Sequence, residues 1–472
     1  MQDKLTLFIK ENYQADICVA GGGVAGCSAA LAAARKGKKV ILCEKEGCLG
    51  GAAVLGCVAP LGSKETRDGR SFGGILEELV VKLEQWNRKY ANADGNTIIN
   101  PHLLQLLLMK ELQDAGVKLL FHVELCQCQM CEEKIQKAFF LSGQGILAVE
   151  AEIFIDATGD GALFAAAGAD YVTGSEENVF EQLFEADYNK IHYEKEESLT
   201  SYGEPGAVQP ASAMFLMGGV DIAKGEKYCN RLLTYEDLGI TKEEFMALPY
   251  AGSSGFEKNE NLIPLPQGRI LFYLGTRKGE VVVNMSRVLQ VDVEDTQVFS
   301  EAERVTQLQV LYLTDFLKRF VPGFENAYFM ECSVSLGIRE SRRLKGKKVL
   351  KGLDAIRCKT GREDIAYASY MIDIHDPYGK RKAIGGDLKG ACFGVPYDCL
   401  VSGQLKNLLV CGRCISVDHI AHASTRIQGT CIQTGQAAGT AAAVCSEEKT
   451  GVGEINVASL RKILRSDKML IL

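Results

Sequence analysis

Several features are missing from this sequence of 472 residues, and each absence removes a class of function. No apolar run reaches the roughly 18 residues of a membrane-spanning helix, so insertion into a bilayer is not expected. There is no basic surplus either: the formal net charge is -7, and the most basic stretch, 339–348, is short and interrupted. Nothing therefore points to a nucleic acid or an anionic membrane as partner. The first 14 residues carry acids and lysines without an apolar core, so they do not read as a signal peptide, and the cytoplasm is the expected location. Repeats, low-complexity tracts and coiled-coil heptads are also lacking.

Cysteine, by contrast, is abundant at 17 residues. The cysteines are scattered over predicted strands and helices instead of framing a small loop-rich domain, so most are expected to be reduced, buried and structural. Cys126, Cys128 and Cys131 form the one dense group. Their alternation predicts a strand edge running into a turn at Glu132 and Glu133, and without a fourth ligand nearby no metal is expected there.

With 47% hydrophobic residues, a chain of this length can bury two cores. Residues 16–20 predict a buried strand, 26–36 an Ala-rich helix ended by Gly37, and 39–43 the next strand, which together make a βαβ unit. Strands are expected at 117–125, 134–141 and 145–149 as a small antiparallel excursion. A further buried strand at 153–157 leads into Thr158-Gly159-Asp160-Gly161 and a helix from Ala162. The pattern then changes to mixed strands and loops with a helix near 300–318, and it returns at 408–411 to a buried strand, a Gly412-Arg413 step and a small-residue helix over 430–445. The first domain is thus expected to be assembled from 1–170 and 390–472, with 171–389 inserted as a substrate-covering α+β domain.

Gly21-Gly22-Gly23-Val24-Ala25-Gly26 satisfies GxGxxG between a strand and a helix, and Glu44 follows at the end of the next strand. Gly21 would permit the tight turn, Gly23 would let a pyrophosphate approach the backbone, and Gly26 would let helix pack on strand. The pyrophosphate would then meet the unpaired N–H groups of the helix N-terminus, while Glu44 accepts from ribose hydroxyls. These residues alone do not separate FAD from NAD, since both carry an adenosine ribose and a pyrophosphate.

Three segments resemble the FAD-dependent oxidoreductase superfamily that includes succinate dehydrogenase and fumarate reductase flavoproteins: the first βαβ with Gly50-Gly51, the stretch Ile155-Asp156-Ala157-Thr158-Gly159-Asp160-Gly161, and the C-terminal segment. More narrowly, Arg339-Glu340-Ser341-Arg342-Arg343, Ile372-Asp373-Ile374-His375-Asp376-Pro377, and Gly412-Arg413 with His422-Ala423-Ser424-Thr425-Arg426 are similar to a bacterial family known as FAD-dependent oxidoreductase. The resemblance implies an α/β fold, a Rossmann-like FAD-binding domain with parallel sheet and antiparallel excursion, and FAD at its junction with the inserted domain. It further implies that Glu44 and Lys45 lie at the adenosine ribose, that Gly50, Gly51 and Ala52 approach phosphates or ring, that Leu125 faces adenine, and that Ala157, Thr158, Gly159 and Asp160 line the adenosine end. Gly412, Arg413, Gln428, Gly429 and Thr430 complete the implied cofactor set.

A helix starting at Gly429-Thr430 would direct N–H groups and a partial positive charge at the negative charge of reduced flavin, stabilising it by about 1–2 kcal/mol. The same helix has small residues, Ala437, Ala438, Gly439 and Ala441, which suit ordinary close packing. Where succinate dehydrogenases carry a histidine that bonds the flavin, this chain reads Ala52-Ala53-Val54-Leu55-Gly56, so non-covalent FAD is expected; Cys57 stands close enough to leave attachment open, although a buried apolar role is the ordinary one for such a cysteine.

Hydride transfer needs a group that handles a proton and a cation that holds substrate oxygen. His102, His122 and His192 lie outside the specific motifs, leaving His375, His419 and His422. His422 precedes Arg426 by four residues, which would present both toward one site. The expected set is His375 or His422 as acid/base, with Arg339 and Arg426 polarising substrate oxygen. A small-molecule substrate is expected, with an unidentified second electron donor or acceptor, because no second strand-GxGxxG-helix for a nicotinamide is evident. The competing expectation is an electron-carrying flavin subunit similar to that of heterodisulfide reductase, although no CxxCxxC cluster is present. A third is a purely structural FAD. Assembly into a homo-oligomer is left open.

Overall fold

The computed structural model describes residues 8–86, 97–185, 204–249, 261–379 and 384–472. The fold is α/β, with a parallel sheet and separate antiparallel sheets. Strand β1 (Ile9–Ala20) is exposed over its first residues and buried over its last four, where apolar side chains enter the core. It ends at Gly21, whose φ of 99° no side-chain-bearing residue adopts without strain, and the chain turns directly into helix α1 (Val24–Arg35). Strand β2 (Val40–Cys43), four buried apolar residues, then lies parallel to β1.

Strands β3 (Lys118–Leu120), β4 (Glu124–Cys131), β5 (Lys134–Ser142) and β6 (Gly145–Asp156) complete the sheet in the order β3-β2-β1-β6-β5-β4. The first four in that order run parallel, while β4 and β5 form the antiparallel excursion. Cys126, Cys128 and Cys131 all sit on β4, the sheet edge, next to the β4–β5 turn.

The two strands expected at 145–149 and 153–157 are a single strand of 12 residues. The apolar pattern is broken in its middle because β6 changes neighbours there. Its first half pairs with β5, and its last residues pair with Leu408–Val410, returning from the far end of the chain. Asn407 clamps this exchange: its amide donates to the carbonyls of Ile135 and Glu152 at 2.9 and 3.2 Å and accepts from the Ile135 N–H at 2.9 Å. Three buried backbone groups at a place where a sheet divides are thereby satisfied.

The C-terminal helix Gln428–Glu448 packs on α1 at backbone contact distance. A Cβ on Gly435 or Gly439 would lie 2.2 or 2.0 Å from the carbonyl oxygens of Ala25 and Ala29. The small residues of this helix therefore serve helix–helix packing.

The other large unit is an antiparallel sheet in the order Tyr328–Cys332, Phe215–Gly218, Val281–Val283, Phe272–Leu274, covered on one face by the long helix Thr296–Phe320. Its core gathers residues from Ala213 to Ala327. The segment 344–400, in contrast, sends Leu344, Ile365, Tyr367, Ile374 and Val395 into the same core as β1 and α1. The strand Asp364–Ala368 pairs with Phe393–Pro396 and packs against the helix Gln428–Glu448, which ties this segment to the first core.

Candidate active site

One continuous cavity of about 1530 Å³ runs from the β1–α1 turn, past the start of the C-terminal helix, to the antiparallel sheet. Its first wall is the glycine turn. A Cβ on Gly26 would sit 1.9 Å from the carbonyl oxygen of Gly21, so only glycine allows α1 to begin this close to β1. Gly23 caps α1 with no side-chain hydrogen bond, and a Cβ there would meet nothing nearer than 4.0 Å. The helix thus presents its N-terminus to open space, where backbone N–H groups favour an anion.

Glu44 stands beside this turn at the end of β2. Its carboxylate accepts from the backbone N–H of Gly22 and, at 2.9 Å, from that of Glu46. Burial pushes its pKa up, while the two N–H donors oppose the shift. Behind the turn, Asp156 shapes the segment after β6, accepting from the N–H and hydroxyl of Thr158 at 3.0 and 2.7 Å and from the Phe164 N–H at 2.9 Å. Asp160 then ties three segments together. Its carboxylate accepts from the Ser341 hydroxyl at 2.6 Å and Arg413 at 2.7 Å, and its carbonyl accepts from Arg342 at 2.7 Å. Burial raises the Asp160 pKa, but Arg413 and Ser341 outweigh it and the net shift is downward.

The far wall holds a cluster of charge. Arg339, at the end of a loop leaving the antiparallel sheet, donates to the Pro210 carbonyl at 2.7 Å and has no carboxylate within ion-pair distance among the described residues. Burial, with Arg426 and Arg287 nearby, pulls its pKa down from the usual 12.5 to about 9. Arg426 follows the short helix His419–Thr425, donating to the Asp373 carbonyl at 3.1 Å with the Asp373 carboxylate 3.6 Å away. Its Nε has no partner. Asp373 and His375 project from the strand Ile372–Ile374 and the residue after it. The His375 ring lies 3.2 Å from Asp373 through Nε2 and 3.2 Å from Arg287 through Nδ1. Because a guanidinium can only donate, Nδ1 is an acceptor and Nε2 carries the proton toward Asp373. Burial pulls the His375 pKa down to about 4, Asp373 opposing, so the ring is neutral at pH 7. Asp373, though burial raises it, is held well below the usual carboxylate range by His375 and Arg426. Among the described residues, Arg287, Arg339 and Arg426 share this wall with the carboxylate of Asp373.

Seventeen of the residues expected at the cofactor line the cavity, from Gly21, Glu44 and Lys45 through Leu125 and Gly159 to Gln428. Gly26 lies just behind the turn. Gly429 and Thr430 are not on the cavity wall: Gly429 donates its N–H to the Leu61 carbonyl at 3.2 Å and packs on Ser63, and Thr430 is buried beside it. The helix starts earlier, so that Ile427 and Gln428 face the cavity instead.

Among the expected catalytic residues, Arg339, Arg426 and His375 come together on the cavity, whereas His422 does not. It is fully buried, its Nε2 lies 3.1 Å from the Arg413 carbonyl, and burial pulls its pKa far down. His419 is also fully buried, 2.8 Å from Glu340. Cys57 is buried among Met214 and Leu216, its thiol pushed up to about 12, and it is not on the cavity wall. His192 lies outside the described residues. Arg287 and Asp373 were not singled out from the sequence. The detectable signal for Arg287 was a lone arginine in the apolar stretch 281–288.

Among the described residues no helix is long and apolar enough to cross a membrane. A family model described as FAD dependent oxidoreductase matches residues 16–464. A cinnamate reductase from Clostridium sporogenes is 41% identical over 68 residues, 14% of this chain and 10% of that protein, so the chain matches only about a tenth of that relative's length. Similar solved structures include a geranylgeranyl bacteriochlorophyll reductase-like protein from Thermoplasma acidophilum, with TM-score 0.39, 12% identity and coverage of 98% of this chain and 93% of that one. A p-nitrophenol 4-monooxygenase from Pseudomonas putida DLL-E4 has TM-score 0.42, 8% identity and coverage of 94% and 82%.

Proposed function

The chain belongs to the FAD dependent oxidoreductase family, with FAD as its cofactor, and from that membership and the charged wall we propose that it exchanges a hydride with a small organic acid. The cavity suits the cofactor on three counts: the open N-terminus of α1, the space left at Gly23, and a buried carboxylate, Glu44, beside the turn. Gly21, Gly23, Val24, Ala25, Glu44, Lys45 and Gly50-Gly51-Ala52 would hold the dinucleotide, with Leu125 and 157–160 at one end and Gly412, Arg413 and Gln428 at the other. Bound FAD supplies a donor or acceptor of hydride.

The observation that carries the substrate reading is the excess of guanidinium over carboxylate at Arg287, Arg339, Arg426 and Asp373. Like charges held together away from water raise one another's free energy, and a ligand carboxylate relieves that repulsion. The three arginines bind and orient the acid. Asp373 fixes the His375 tautomer and holds Arg426. When Arg287 turns to the carboxylate, Nδ1 of the neutral His375 is released to take up a proton from the substrate, or to return it in the reverse direction.

The test is an anaerobic absorbance screen of the holoprotein against hydroxy acids and enoates, each paired with its methyl ester. Acids are expected to bleach or restore the flavin spectrum while the esters do not. Equal responses to acid and ester refute the arginine reading.

A further inference from the structure

At about 1530 Å³ the cavity exceeds the roughly 300–1,000 Å³ that encloses one drug-sized ligand, so it has room for a substrate beside the dinucleotide. Part of it lies against the antiparallel sheet. One face of that sheet, with Phe215, Met217, Val281 and Val283, packs on the core under the long helix. The other, with Leu216, Val282 and Tyr273, packs against Cys57, Ala59 and Ile98, with Tyr273 reaching the cavity. By alternation Asn284 belongs with Val282 on this second face, and it lines the cavity together with Tyr273, Leu271 and Ile263.

Exposed Arg231 and half-buried Arg269 also line this lobe, and among its buried side chains two amides stand out. Asn284 is 5% exposed and Gln267 6%, both line the cavity, and the side-chain oxygen of each is buried with no hydrogen-bond partner among the described residues. A buried polar group left unsatisfied is costly, and native proteins rarely keep one without a use. An amide offers both an acceptor and a donor, so whichever way each is turned it can meet a neutral hydroxyl or carbonyl.

We infer that the substrate extends beyond its carboxylate as an apolar body bearing one neutral hydrogen-bonding group, recognised by Asn284 and Gln267. The inference rests on the arginine reading for the position of the carboxylate and adds the substrate's length and far-end chemistry. The apolar wall takes the chain, and the two amides select the group at its far end.

The experiment measures dissociation constants for propionate, octanoate, 8-hydroxyoctanoate and suberate from perturbation of the flavin spectrum in the holoprotein. Octanoate is expected to bind at least about tenfold tighter than propionate, and 8-hydroxyoctanoate roughly five- to tenfold tighter than octanoate. Asn284→Leu should erase the hydroxyl preference while octanoate binds at least as well as before. Gln267→Leu gives the same reading should Asn284→Leu not retain FAD. Equal binding of propionate and octanoate overturns the extended lobe, and tighter binding of suberate than of 8-hydroxyoctanoate overturns the neutral far group. An unchanged hydroxyl preference in both variants overturns the role of the amides. Failure of every acid to perturb the spectrum overturns the arginine reading itself, and this inference with it.

Discussion

Replacing Arg339 by leucine separates a ligand-binding arginine from a structural one, because the two roles predict opposite effects on the protein alone. Arg339 makes one hydrogen bond, to the Pro210 carbonyl at 2.7 Å, and Arg426 and Arg287 repel it. A pKa drawn from 12.5 to about 9 corresponds to a cost on the order of a few kcal/mol for holding the cation there. Leucine removes that cost, keeps most of the stem's packing, and leaves one carbonyl unpaired at roughly 1–3 kcal/mol. The two terms nearly cancel, so the variant is expected to be as stable as the parent or slightly more so. Binding behaves differently. Losing a charge-assisted contact of about 1.5–3 kcal/mol weakens a carboxylate ligand by roughly 10- to 150-fold. The assay pairs thermal unfolding of the holoprotein with titration of acids followed by the flavin spectrum. A variant that loses several degrees of melting temperature while binding acids normally would refute the reasoning, since Arg339 would then be a brace. A parent protein that is not stabilised by carboxylates would refute it as well, because a bound anion must relieve the repulsion.

Gly26→Ala places a methyl 1.9 Å from the Gly21 carbonyl oxygen, a backbone atom with nowhere to go; the turn must open, and the purified variant is expected to be colourless or to release FAD on dilution, which an absorbance spectrum checks. Glu44→Gln keeps the shape but replaces a charged acceptor beside the Gly22 and Glu46 N–H groups, and is expected to weaken FAD about tenfold or more by equilibrium dialysis. The pH dependence of stability follows from His375, whose pKa falls from 6.5 to about 4 on burial. Between those values the unfolded chain binds a proton that the folded one does not, so stability falls as pH falls across that window, by about 3 kcal/mol in all, and His375→Gln should flatten this limb in denaturant titrations.

The parts of this molecule that were legible from sequence are those built from neighbouring residues. Gly21 to Gly26 and Glu44 lie within one βαβ unit, where each glycine answers a local steric demand. The strand at 408–410 could be recognised because buried parallel strands are short apolar runs. The substrate wall is different in kind: Arg287, Arg339, Asp373, His375 and Arg426 come from separate segments, and only the packing of the antiparallel sheet against the first core brings Arg287 to His375. His422 shows how a local rule misleads. Its spacing from Arg426 places them one helical turn apart, but every residue of the short helix His419–Thr425 is buried. There is no exposed face for the pair to share. Arg426 reaches the cavity because it follows the last helical residue, while His422 is held against the Arg413 carbonyl.

Two sets of buried charge lie close together, and they differ in how their charges are matched. In the first, Arg343 meets Glu340 and Glu176, Glu340 also meets His419, and Arg343, Glu340 and His419 are all nearly inaccessible to solvent. Burial raises the Glu340 pKa, but His419 and Arg343 hold it well below its usual range. Here carboxylates match cations, as a purely structural network requires, since a buried charge without its counterpart costs several kcal/mol. The second set begins one link away. Gln209 donates its N–H to Glu340 and accepts from the His375 N–H, both at 3.2 Å, so the closed network fixes the backbone of the open one. There, Arg339 has no carboxylate within ion-pair distance among the described residues, and the cluster lines a cavity instead of a core. Charges are balanced where nothing can enter and left cationic where a ligand can, and on the reading proposed above the substrate supplies the missing negative charge.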